Sequence, residues 1–204
     1  MGILSTSLSL TRYKIVENVP DTLWSEIQDR LLKFSFQDID NTTDERSFGW
    51  VCFDNMLDSR WQTAPPTKGE FLAFALRLDT RRIPPAVLKK HFQIHLDEFR
   101  KKLKEQGQKY ISREQKKELK EQVKLKLLTK TLPVPAFFDV VWDMQKNLVY
   151  FASTRPKVLE LFEELFTKTF ELHLEPQSPF FKALNILGQE QLPKIENLEP
   201  TIFV

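Results

Sequence analysis

Glycine is scarce: the 204 residues contain five, at positions 2, 49, 69, 107 and 188. Neither a GxGxxG fingerprint nor a P-loop can be written with that spacing, because both need clustered glycines to bring the backbone close to phosphate. Nucleotide binding through either motif is excluded, and no cofactor is expected. Cysteine is scarcer still. The lone Cys52 cannot close an internal disulfide or build a cysteine-rich zinc site, which fits a reducing compartment. A buried, inert thiol is the ordinary state of such a residue. Long apolar runs are missing too: no stretch approaches the ~20 residues that span a bilayer. The start, Met1-Gly2-Ile3-Leu4-Ser5-Thr6, has neither the basic opening nor the apolar stretch of a signal peptide. It matches the myristoylation pattern M-G-x-x-x-[ST], which is short and common by chance. A cytoplasmic protein without a membrane partner is expected.

What is present is a globular composition, with 41% hydrophobic and 28% charged residues and 17 phenylalanines to build an aromatic core. The length suits one good-sized domain. Leu8 to Val16 alternates and reads as a strand, and Asp21 is placed to cap a helix carrying Leu23, Trp24, Ile27, Leu31 and Phe34. Asp38 to Arg46 is a polar loop, and Phe48 to Phe53 a short apolar strand. Phe71 to Leu78 is apolar on both faces and reads as a central strand. Pro85 opens a helix whose Leu88, Phe92, Leu96, Phe99 and Leu103 share one arc, and Gly107 stops it. Ser112-Arg113-Glu114-Gln115 is a capping box opening a second helix, with Leu119, Val123 and Leu127 as a narrow apolar face. Phe137 to Asp143 and Leu148 to Ala152 form a hairpin. Ser153 or Thr154 caps a helix with Val158, Leu161, Phe162, Leu165 and Phe166 inward. Phe170 to Leu174 reads as a last strand, and Phe180 to Leu187 as a short helix before a tail. The order predicts an α+β fold of mainly antiparallel sheet with covering helices. Residues 1–175 form a single domain in this reading. A two-helix hairpin at 85–131 projects from it, and 176–204 is an extension.

Charge is unevenly placed. Arg100 to Lys130 holds 12 basic residues against Glu105, Glu114, Glu118 and Glu121, a net +8 in a chain of net +2, so the remainder carries −6. Such asymmetry points to a polyanion. On the second helix, at ~100° per residue from Leu119, the cations Arg113, Lys117, Lys120 and Lys124 gather on one arc at roughly 100–160°. The glutamates fall on another, and only some i,i+4 pairs such as Lys117 with Glu121 are available. The first helix continues the face with Lys89, Lys90, Arg100, Lys101 and Lys104, and Lys109 lies in the turn. Lysine outnumbers arginine and only Tyr110 interleaves an aromatic ring. Sequence-independent binding to a duplex backbone is favoured over base reading or strand stacking.

Catalytic groupings are hard to find. A metal-dependent nuclease needs clustered carboxylates. Asp139, Asp143, Glu160, Glu163 and Glu164 are the candidates, with nothing in the sequence to bring them together. His91 and His95 are spaced i,i+4, as zinc ligands can be, without a third ligand in view. A non-catalytic protein with no bound metal is expected.

Several runs together resemble one family. Arg82-Ile83-Pro84-Pro85, Gly107-Gln108-Lys109-Tyr110-Ile111-Ser112-Arg113 and Lys116-Lys117-Glu118-Leu119-Lys120-Glu121-Gln122-Val123 are similar to the recombination-associated protein RdgC family. Gly49-Trp50-Val51, Leu128 to Pro133 and the hairpin Val141-Trp142-Asp143 to Ala152-Ser153 fit it in the same order. The resemblance runs from about Leu8 to Pro179. It implies a nucleoid-associated homodimer that encircles double-stranded DNA without sequence preference and limits access of the RecA recombinase. It also implies that the helical hairpin faces its partner at the tip of the ring. The family has carried an exonuclease label as well. Its chains typically continue past the end of this one, and that further part supplies one of two dimer contacts. The resemblance therefore implies a short form that dimerises through the helical tip or acts as an open clamp. A protein-interaction module is the alternative from another class.

Overall fold

Seven strands form one sheet in the order β2-β4-β5-β6-β1-β7, with β3 paired to β4. A computed structural model describes residues 2–105 and 110–199. The strands are β1 (Thr11–Ile15), β2 (Arg46–Cys52), β3 (Thr67–Lys68), β4 (Phe71–Thr80), β5 (Val134–Asp143), β6 (Leu148–Phe151) and β7 (Leu174–Pro176). The helices are α1 (Thr22–Lys33), α2 (Pro85–Glu105), α3 (Arg113–Leu128), α4 (Pro156–Phe170), α5 (Pro179–Leu187) and α6 (Leu192–Glu196), with a 3-10 turn at Gln189–Gln191. The fold is α+β with an antiparallel sheet, as the sequence predicts. The chain divides into two compact units. The first comprises Met1–Ser35, Gly49–Arg77 and Phe137–Val204, and the second Phe36–Phe48 and Leu78–Ala136.

In the first unit, alternation decides which side of β1 faces inward. Tyr13 and Ile15 are buried while Lys14 is exposed. β1 pairs antiparallel with β6 (Thr11 opposite Phe151, Lys14 opposite Leu148) and with β7 (Ile15 opposite Leu174). β5 and β6 form the expected hairpin, Asp143 opposite Leu148. Its turn carries Asn147 at φ 52°, a conformation asparagine tolerates better than most residues. The Asn147 carbonyl accepts the Ile15 amide at 3.1 Å. In β4, Leu72 to Leu76 are all buried, consistent with an interior strand.

α4 buries Val158, Leu161, Phe162, Leu165, Phe166, Thr169 and Phe170, and α1 packs against it through the Leu23, Ile27 and Leu31 side. Rings dominate this core. Phe151 and Phe162 stack at 4.0 Å, Trp50 meets Phe74 edge-on at 5.0 Å, and Phe166 lies 4.7 Å from Phe170. Such pairs add ~0.5–1.5 kcal/mol each beyond their buried area. The Trp50 indole N–H donates to the Thr169 hydroxyl at 2.8 Å, and that hydroxyl donates to the Leu165 carbonyl at 2.7 Å. The whole chain of donors is therefore satisfied in the dry interior.

Three local expectations change. Phe170 does not open a strand: it closes α4's inward stripe. Glu171 follows in the left-handed region at φ 60°, its N–H bonded to the Thr167 carbonyl, and the strand begins only at Leu174. Asp21 precedes α1 as expected but is itself helical, φ −60° and ψ −28°, so its carboxylate does not turn back to cap. Arg155, not Ser153 or Thr154, sits at the start of α4. Ser153 Oγ instead accepts the Arg155 amide at 3.3 Å.

Candidate nucleic-acid interface

The second unit is built on α2 and α3, which pack against each other. Pro85 starts α2 where a missing N–H costs nothing. Of its apolar arc, Leu96 and Leu103 are buried and Leu88, Phe92 and Phe99 half-buried. α3 opens on the expected capping box: Ser112 Oγ accepts the Gln115 amide at 3.1 Å, and Gln115 Oε1 accepts the Ser112 amide at 2.9 Å. Val123, Leu127 and Leu128 are its buried residues.

The polar sides of both helices carry the cations. Lys89, Lys90, Lys101 and Lys104 on α2, and Arg113, Lys117 and Lys120 on α3, are exposed. Among the described residues none of these seven makes an ion pair. Lys109 lies outside the described residues, as does Gly107. Arg100 is exposed, but its Nη1 pairs with Asp97 Oδ1 at 3.1 Å, one turn back. Lys117 does not pair with Glu121 among the described residues, and Glu118 instead accepts from Gln122 at 3.4 Å.

Lys124 differs from the rest. Its Nζ lies 2.5 Å from Glu45 Oε1, and that carboxylate raises the lysine's pKa. Glu45 is held in place from below. Buried Arg81 donates from Nη2 to the carbonyls of Ile39 at 2.6 Å and Asp40 at 2.8 Å, and from Nη1 to Thr42. The Arg81 amide bonds the Glu45 carbonyl at 2.8 Å. The polar loop is thereby fixed and presents one acid to one end of the cationic arc. The pairing spans 79 positions of sequence, so no local pattern could have announced it.

Two further lysines, Lys126 and Lys130, belong to a cleft of about 180 Å³ lined also by His91, His95, Val123 and Leu127. Sequence reasoning passed them over because they flank the apolar stripe of α3 instead of the cationic arc. His95 Nδ1 lies 2.9 Å from the His91 carbonyl.

Four of the five carboxylates considered for metal chemistry are held by neighbours in the first unit. Asp143 Oδ1 accepts the Gln145 and Lys146 amides at 3.1 and 3.0 Å, and its pKa is lowered by those bonds and by Lys146. Glu163 accepts the Tyr13 hydroxyl at 2.8 Å, and Glu164 pairs with Lys168. Glu160 is exposed. Asp139 is buried; Oδ2 accepts the Ile3 amide at 2.7 Å, Oδ1 has no hydrogen-bond partner among the described residues, and burial raises its pKa. Among the described residues no three His, Cys, Asp or Glu side chains gather to hold a metal ion. No helix among them is long and apolar enough to cross a membrane.

A family model described as "Putative exonuclease, RdgC" matches residues 9–183. No curated protein matches the chain.

Proposed function

This chain belongs to the RdgC family, and from that premise we propose that it is a recombination-associated nucleoid protein that binds double-stranded DNA without sequence preference. The binding surface in this reading is the exposed cationic side of α2 and α3: Lys89, Lys90, Lys101, Lys104, Arg113, Lys117 and Lys120, with Arg100 and Lys124 at its margins. The protein acts as a homodimer, as a clamp or ring on the duplex, and limits RecA access by occupying the same DNA.

The observation that carries the reading is the lack of compensation. Seven exposed cations on two packed helices have no ion-pair partner among the described residues. A merely solvated helix surface more often interleaves its charges as i,i+4 pairs. Unpaired lysines neutralise phosphates and release counterions, which gives affinity without base reading.

Titration of a mixed-sequence duplex against salt tests this. Each phosphate engaged contributes about −0.9 to the slope of log affinity on log salt, so full engagement of the seven gives a slope on the order of −6. No binding at low salt overturns the proposal. Light scattering with and without duplex reads the oligomeric state, and a monomer in both conditions overturns the clamp. The exonuclease of the family description is read by incubating end-labelled duplex with magnesium or manganese; released nucleotide would replace the non-catalytic reading.

A further inference from the structure

The cleft between α2 and α3 holds cations that the outer face does not use. His91 and His95 line it from α2, Val123, Lys126 and Leu127 from α3, and Lys130 from just beyond α3. Both histidines are half-buried and both lysines exposed, and neither lysine forms an ion pair among the described residues. At ~100° per residue, Glu98, Lys102 and Glu105 lie within roughly 60° of the middle of the histidines' arc of α2, and Lys116 is equally near the lysines' arc of α3. Glu114, Glu118 and Glu121 fall on the opposite side of α3. Lys126, Lys130, Lys102 and Lys116 therefore outnumber the acids Glu98 and Glu105 around the opening.

The hydrogen bond within α2 fixes what His95 can do. Its Nδ1 lies 2.9 Å from the His91 carbonyl oxygen. A carbonyl only accepts, so Nδ1 carries the hydrogen. The neutral ring then has a bare lone pair at Nε2, which repels an oxyanion. The protonated ring has an N–H there, which donates to one. The same i,i+4 histidines could face a metal cation, but Lys126 and Lys130 on the opposite wall oppose it electrostatically. A volume of about 180 Å³ equals several waters at ~30 Å³ each, enough for one tetrahedral anion.

We propose that this cleft is a proton-coupled site for a single phosphate group, supplied either as free phosphate or as the terminal phosphomonoester of a DNA strand. Lys126 and Lys130 provide permanent charge, and His95 provides a donor that exists only when its ring is protonated. Binding takes up a proton and therefore strengthens as pH falls. The site stands whether or not the outer face binds DNA, since it shares none of the seven unpaired cations assigned to that face.

The test follows the ring signals of His91 and His95 by NMR in the full chain. Sulfate is the first probe, because it stays doubly charged from pH 6 to pH 8 and any pH dependence then belongs to the protein. The expected result is saturable binding at pH 6, about tenfold or more weaker at pH 8, lost in K126Q/K130Q and retained in K126R/K130R. H95Q should bind weakly at both pH values. Equal affinity at pH 6 and 8, or unchanged binding in K126Q/K130Q with the parent's thermal midpoint, overturns the proposal. If K126Q/K130Q fails to fold, H95Q alone decides, and a parent-like pH dependence in that variant overturns it. Inorganic phosphate is then compared with a short duplex bearing a 5′-phosphate and with a closed dumbbell duplex without ends. Shifts from the phosphorylated duplex but not the dumbbell identify a strand terminus as the source. Shifts from inorganic phosphate alone identify the free ion. If neither phosphate source moves the histidine signals, the proposal fails, even where the dumbbell binds the outer face.

Discussion

The two units solve opposite problems with the same backbone elements. In the first, α4 turns seven residues inward against Trp50, Phe74, Trp142 and Phe151, and its rings touch one another repeatedly. In the second, α2 is longer, at 21 residues, yet buries only Leu96 and Leu103, and α3 buries Val123, Leu127 and Leu128. The first unit has abundant buried apolar area, the dominant favourable term in folding. The second leaves most of its helical surface to solvent and charge. A core substitution should therefore act on stability and leave the proposed binding face alone, while a charge substitution on α3 should do the reverse.

The largest effect expected is from Phe162→Ala, which removes a fully buried ring stacked on Phe151. It should cost about 3–5 kcal/mol, read by urea unfolding, and a loss under 1 kcal/mol would break the contrast. Next comes the triple reversal R113E/K117E/K120E. Duplex affinity should drop on the order of 100-fold or more at low salt, with the salt slope shallower by about 2.7. Its unfolding free energy should stay within ~0.5 kcal/mol of the parent; a variant that binds as the parent does removes this face from the interface. Ser112→Ala takes one member of the capping box and should destabilise by ~1 kcal/mol, seen as faster amide exchange in α3 before any change in α4. The smallest effect belongs to Asp139→Asn. A carboxyl whose folded pKa is raised contributes stability below its unfolded value and loses that contribution as pH rises through the folded one. The thermal midpoint of D139N, minus the parent's, should thus be more positive at pH 7 than at pH 4. A difference independent of pH would show that Asp139 is not the buried acid described.

Legibility in the sequence depended on how far apart the interacting residues lie along the chain. Strand and helix positions in the first unit could be read because period-two and helical apolar spacing leave a direct trace in Tyr13, Ile15, Leu161 and Phe162. The misreading at Phe170 has a physical cause. Phe170-Glu171-Leu172-His173-Leu174 alternates like a strand, but Phe170 also lies one turn after Phe166, and packing chose the helix. On α3 the capping box was visible because its partners are three residues apart. The Lys124–Glu45 pair was not, because it depends on a loop held by Arg81. The cleft with His91 and His95 needs both helices side by side, and no single-helix projection reveals it.

The placement of the indoles has an optical consequence. The chain has four tryptophans, Trp24, Trp50, Trp61 and Trp142, and all belong to the first unit. The second unit contains Tyr110, 88% exposed, and no tryptophan. Intrinsic emission excited at the red edge therefore watches the aromatic core and is dark to the basic helices. A dye placed near Tyr110 would light the other half, and the buried Cys52 leaves an introduced surface thiol there as the accessible point of attachment.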